Sequence, residues 1–149
     1  MFKQLIGIKS QPTKNIVERG AVKAFAQSIG DAHPLYVDEA YGEASLYGQN
    51  IAPPTFPRVF DYGEMSELKL PDKGLIHGEQ TYEYVRPLLV GETVSCYSEV
   101  ADYVEKKGKS GTMGLLSVKS VGLDDKGKQL FSSKQVIILT ETVRRAMKV

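Results

Sequence analysis

The second half of the chain constrains the fold most. Four runs, Leu75 to Val85, Thr93 to Val104, Thr112 to Leu123 and Gln129 to Thr140, combine alternating polarity with β-branched and aromatic residues, which is the pattern of strands. Only short segments with turn chemistry separate them: Arg86-Pro87 through Gly91, Lys106 to Gly111, and Asp124 to Lys128. Connections this short join antiparallel neighbours, because a parallel pair needs a crossover of about a dozen residues or more. The spacing predicts a long antiparallel sheet.

The first half reads differently. Between Arg19 and Ile29, the apolar residues Val22, Phe25, Ala26 and Ile29 recur at helical spacing, with Lys23 and Gln27 on the other side and Gly30 as the stop. Asp31 to Tyr36 contains His33-Pro34 and is expected to be a loop, since proline disfavours a helical residue before it. A second short helix is expected from Asp38 to Leu46, with Asp38 as its N-cap, and Gly48 to Pro54 as a loop closed by two prolines. The apolar stretch from Thr55 to Leu68 suits a buried central helix. Helices first and strands afterwards is the α+β pattern, and a long antiparallel sheet wrapped around one central helix is the hot-dog fold. Residues 1–149 are expected to form a single domain, with Arg144 to Val149 as a frayed end.

Composition narrows the function classes. A net charge of +1 with 25% charged residues offers no electrostatic footprint for nucleic acid or an anionic membrane surface. The single cysteine, Cys96, allows no intramolecular disulfide and no thiolate cluster, and is expected to be a small apolar strand residue. The N-terminus has too short an apolar stretch for a secretory signal, and no run reaches the ~20 residues of a membrane span, so a cytoplasmic location is expected. His33 and His77 are the only histidines, and neither belongs to an HxxxH or HExxH pattern or a carboxylate cluster. No phosphate-binding or dinucleotide fingerprint is present, and no metal or cofactor is expected. His77 reads as a structural strand residue.

Two stretches carry the chemistry: Gly30-Asp31-Ala32-His33-Pro34-Leu35-Tyr36-Val37-Asp38, and Ile51-Ala52-Pro53-Pro54-Thr55-Phe56. The first resembles the hydratase motif of the MaoC-like hydratase and dehydratase superfamily, Gly-Asp-x-Asn-Pro-Leu/Ile-His-x-Asp, and matches it in register at Gly30, Asp31, Pro34, Leu35 and Asp38. Leu75 to Gln80, with Arg86-Pro87 and Gly91-Glu92 after it, is similar to the first long strands of that superfamily's N-terminal-type domain, so the resemblance covers most of the chain. In active members, it implies, the motif's Asp and His hold the water that adds across the double bond of an enoyl thioester.

This chain departs from the motif at three places. Tyr36 stands where the His should be; an imidazole with pKa ~6.5 accepts a proton near neutrality, whereas a phenol with pKa ~10 is ionised to roughly one part in a thousand at pH 7. That difference is worth about 4 to 5 kcal/mol for a group asked to act as base. Pro53-Pro54 stands where the resemblance implies a His-Gly pair whose glycine N–H serves as an oxyanion donor, and proline has no N–H. Losing such a donor costs about 3 to 4 kcal/mol of transition-state stabilisation. His33 replaces the motif's Asn.

Each residue also has a structural role open to it: Asp31 and His33 as loop residues, Tyr36 as a packing and hydrogen-bonding wall. The resemblance is strongest to the non-catalytic subunit of heterodimeric 3-hydroxyacyl thioester dehydratases and the non-catalytic half of fused (R)-specific enoyl-CoA hydratases. It implies a domain that shapes an acyl tunnel, here expected from Tyr36, Pro54, Thr55, Phe56, Val59 and Phe60. The ligand would be a thioester on coenzyme A or acyl carrier protein, and the partner a second copy or a catalytic MaoC-like subunit. Two alternatives stand beside it: an active hydratase or thioesterase using Asp31 with His33 or Tyr36, and a non-enzymatic acyl-CoA-binding homodimer.

Overall fold

The structure, a computed structural model, describes residues 1–149. Its strands are β1 (Thr13–Ile16), β2 (Leu75–Tyr84), β3 (Thr93–Gly108), β4 (Gly111–Leu123) and β5 (Gln129–Leu139), and its helices α1 (Arg19–Ser28), α2 (Pro34–Val37), α3 (Glu39–Ala44) and α4 (Glu141–Met147). The five strands form one antiparallel sheet in the order β1-β3-β4-β5-β2. This is the α+β hot-dog architecture: the four long runs pair as antiparallel neighbours, and every helix lies outside the sheet. The short β1 at one edge pairs only with β3, and β2 at the other only with β5.

The register explains why the core is divided. Across the inner face, Cys96 pairs with Gly122 and Gly122 with Phe131, and the row beside it runs Ser98, Ser120, Ser133, Tyr82. The next row is Val100, Val118, Gln135, Gln80. A line of hydroxyls thus crosses four strands between two apolar clusters. Val17, Val22, Ala52, Phe56, Leu88, Val94, Cys96, Leu130 and Phe131 form the first cluster, covered by α1 and the chain after Asn50. Phe2, Val100, Tyr103, Leu116, Val118 and Leu139 form the second, against which Leu5, Val143 and Met147 pack. Phe2 is fully buried, a placement worth about 1.5 to 3 kcal/mol.

Three local expectations are corrected. Thr55 to Leu68 is not a central helix; it makes one 3₁₀ turn at Phe56–Val59 and then runs irregularly. Pro57 removes a helical donor, the Asp61 carboxylate accepts from Gly63 N–H at 2.9 Å, and Gly63 turns at φ +76 so close to Gln11 that a Cβ would lie 2.3 Å from its carbonyl. The hydroxyl row beneath this segment also gives a helix no continuous apolar surface to bury. The Asp31 to Tyr36 loop gives way at its end to α2, because Pro34 sits at the start of that helix, where its missing N–H costs nothing. The C-terminal tail is not frayed from Arg144 onward: α4 is capped by Thr140, docks Val143 and Met147 on the second cluster, and pairs Arg144 with Glu105 at 2.5 Å.

Candidate active site

Gly30, at φ +71, ends α1 and turns the chain so that Asp31 N–H donates to Ala26 C=O at 2.9 Å. The motif then unfolds along the surface. Asp31 is exposed, and its carboxylate accepts no hydrogen bond from the chain. His33 caps α2: its Nδ1 accepts from Leu35 N–H at 3.1 Å, which turns Nε2 away from the backbone. Asp38 caps α3 in the same manner, accepting from Tyr41 N–H at 3.0 Å.

Tyr36 is half-buried and packs against the first cluster, with its ring centroid 6.0 Å from that of His33. Burial, and then the charge of Asp31, push its phenol above its ordinary pKa. Both effects reduce the phenolate fraction and move Tyr36 further from service as a base. Asp31, His33 and Tyr36 are therefore brought together at one end of α1. Beside them an open depression of about 320 Å³ is walled by His33, Leu35, Tyr41, Leu46 and Tyr47.

The second stretch behaves less uniformly. Phe56 is a core residue, 1% exposed, packed edge-on between Phe25 at 5.6 Å and Phe60 at 5.5 Å. Phe60 is half-buried against Phe131, whereas Pro54, Thr55 and Val59 are exposed. Pro54 has no N–H, and its carbonyl accepts from the Tyr84 hydroxyl at 2.5 Å. The next donor along, Thr55 N–H, bonds to no group of the chain.

One residue that the sequence pattern did not single out organises the motif. Asn50, 1% exposed, donates through Nδ2 to Leu35 C=O and Asp38 C=O, both at 2.8 Å, and accepts at Oδ1 from Arg19 at 2.6 Å. It ties the motif loop to the start of α1 and, through Val90 N–H donating to its own carbonyl, to the turn before β3. Gly42 completes the contact, because a Cβ there would fall 2.5 Å from Asn50 Nδ2. The available sequence signal was an Asn directly before a buried apolar run, a weak cue by itself. The turn before β3 is clamped by Arg86, whose guanidinium meets both oxygens of Glu92 at 2.8 Å.

No three His, Cys, Asp or Glu side chains converge as a metal ligand set, and no helix is long and apolar enough to cross a membrane.

Residues 4–133 match the family model described as the FAS1-like dehydratase domain region. A "UPF0336 protein" of Thermobifida fusca is 30% identical over 129 residues, spanning 83% of this chain and 82% of that protein. Among solved structures, the fold is similar to the C-terminally truncated HadBC (3R-hydroxyacyl-ACP dehydratase) complex of Mycobacterium tuberculosis, with a TM-score of 0.76, 18% identity, and coverage of 93% of this chain and 99% of that one. The ChsH1-ChsH2 complex of the same organism aligns with a TM-score of 0.73 at 22% identity, covering 92% of this chain and 85% of that one.

Proposed function

Because the chain belongs to the FAS1-like dehydratase domain family, with its MaoC-like hot-dog fold, we propose that it is the acyl-thioester-binding, catalytically impaired half of an enoyl hydratase or 3-hydroxyacyl dehydratase assembly. The observation that carries the reading is Tyr36, a half-buried phenol held in its neutral form at the position of the motif's base. Hydration places a water oxygen on the β-carbon of the enoyl thioester and a proton on the α-carbon, and it needs a group that accepts the water's proton near neutral pH. Tyr36 does not meet that need. Pro54 supplies no N–H to the thioester carbonyl, and the orientation of its own carbonyl is already fixed by Tyr84.

In this reading a partner with an intact Asp and His pair performs the chemistry. The present chain contributes the wall made by Tyr36 and Phe60 and the exposed edge at Pro54, Thr55 and Val59. The thioester is carried on coenzyme A or acyl carrier protein. HadBC is by its description a complex that dehydrates a 3R-hydroxyacyl carrier-protein substrate, which supports a shared assembly here.

A second reading keeps Asp31 active, since its carboxylate is exposed, unbonded and beside Tyr36. Hydration of a short enoyl-CoA by the pure chain, alone and with a MaoC-like protein bearing the full motif, separates the two. Trace turnover by the chain alone and a gain with the partner are the expected results. Robust turnover alone that is abolished by Asp31→Asn would replace the first reading with the active-enzyme reading.

A further inference from the structure

The inner face of the sheet holds a site that the hydratase motif does not reach. Where a central helix was expected, the chain from Pro57 to Tyr62 roofs a cavity of about 90 Å³ over the hydroxyl row. Its chemistry comes from Arg58, Tyr82, Ser98, Ser120, Ser133 and Gln135. Ser98 and Ser133 are buried, at 7% and 8% exposure. Ser98 and Ser120 bond to one another at 2.7 Å, and that pair retains one hydroxyl proton to give elsewhere. The Ser133 and Tyr82 hydroxyls, the Gln135 amide and the Arg58 guanidinium bond to no protein group. They are also not sealed in, since the only fully enclosed unpartnered side-chain atom in the chain is Arg144 Nε. Their free hydrogen-bonding capacity therefore opens into the cavity or its mouth.

Charge decides what fits. The lining contains one cation and no acid, so the donor set is complementary to an anion. The positive charge of Arg58 reaches the tyrosines, lowering the phenol pKa of both Tyr62 and Tyr82 against the larger upward effect of burial. A carboxylate carries a single negative charge, which Arg58 matches. A phosphate near neutral pH carries about −1.5 to −2 and would leave charge uncompensated beside a half-buried wall. The volume also suits a carboxyl group with a short stem.

We propose that this cavity binds a carboxylate, with Arg58 at its mouth and Ser133, Tyr82 and the Ser98 and Ser120 pair donating to its oxygens. The site uses no residue of the Asp31 and Tyr36 constellation and does not rest on the function proposed above.

The test titrates the full chain, isotopically labelled, with sodium acetate, adipate and phosphate at matched ionic strength, following backbone amide shifts. Acetate is expected to give saturable shifts at Ser98, Ser120 and Ser133, with an affinity on the order of millimolar for so small a ligand. Arg58→Gln should weaken it about tenfold or more, and Ser133→Ala several-fold. Arg58 is exposed and unpaired, so its replacement leaves the fold intact, and Arg145→Gln serves as the charge control. Tighter binding of adipate than acetate assigns the site to the carboxylate end of a longer molecule; equal binding assigns it to a free short acid. Phosphate binding more tightly than either, shifts common to all anions without saturation, or an Arg58→Gln variant that binds acetate undiminished would each overturn the proposal.

Discussion

Replacing Asn50 with Ala isolates what holds the hydratase motif in place. The side chain donates to Leu35 and Asp38 at 2.8 Å each, and two such neutral hydrogen bonds contribute about 1 kcal/mol apiece. The third bond, from Arg19, counts for less: that side chain is 47% exposed, so water replaces its partner, and about 0.5 kcal/mol is a fair share. No carbonyl is orphaned, because Leu35 C=O also accepts from Ile51 N–H and Asp38 C=O from Gly42 N–H. The sum is a loss of about 2 to 3 kcal/mol, without the larger penalty of a stranded polar group.

Asn50→Asp should cost more, since it points a carboxylate oxygen at two carbonyls. Gly42→Ala should cost a similar amount by a different route, because its Cβ would sit 2.6 Å from the Asn50 backbone nitrogen. Combined with Asn50→Ala, its effect should be less than additive, as both changes release one contact. Urea unfolding measures the energies, and amide exchange shows where they fall. Protection is expected to drop across 31–42 while β3 and β4 keep theirs. A change below about 0.5 kcal/mol for Asn50→Ala, or exchange loosened equally in the strands, would refute the reasoning.

Tyr36→His alone is expected to leave enoyl-CoA hydration at trace level, while Tyr36→His with Pro54→Gly outperforms either single change; a large gain from Tyr36→His alone would show that Pro54 is not the missing donor position. Burial pushes the Cys96 thiol from 9.0 up to about 12 and also raises the phenols of Tyr62 and Tyr84, so the folded chain holds these protons more tightly than the unfolded chain. Their contribution is therefore complete below pH 9 and is lost as pH rises through the alkaline range: melting temperature should fall there, and Tyr62→Phe should flatten the fall. The same burial keeps Cys96 unreactive, so a thiol reagent at pH 8 should modify it only after denaturation. Glu92→Ala strips Arg86 of both its carboxylate contacts and frees Leu89 N–H, which predicts a loss of about 2 kcal/mol in urea unfolding.

The four long strands are legible in sequence because alternation and short turns leave the backbone few other ways to pair, although β3 runs to Gly108, four residues past the expected Val104 and into the expected Lys106 to Gly111 turn, and the short β1 is not among the expected runs. Leu75–Tyr84 and Gln129–Leu139 each end within a residue of the expected limits. The helix expected at Thr55 to Leu68 fails for a physical reason: the segment's apolar content is visible in sequence, but the hydroxyls beneath it come from four strands and meet only through register. Asp31, His33 and Tyr36 lie within six consecutive residues, so their proximity follows from chain continuity. Asn50 contacts Leu35 and Arg19 across sequence separations of 15 and 31, and such hydrogen bonds leave no periodic trace in a sequence.

The inequality of the two sheet edges bears on how far the molecule can grow. β2 offers a 10-residue edge, while β1 offers 4, beside which the Asn15 side chain bonds the Asp61 backbone in both directions. A copy that pairs along β2 consumes the long edge of each molecule and leaves at either end of the joined sheet the short β1 and, beyond it, the stretch of β3 from Ala101 to Gly108 that β1 does not cover. Lys106 and Lys107 put charge on that uncovered stretch, and charge along an open edge disfavours a further strand, so growth past a pair of molecules is opposed by side chains rather than by a lack of edge.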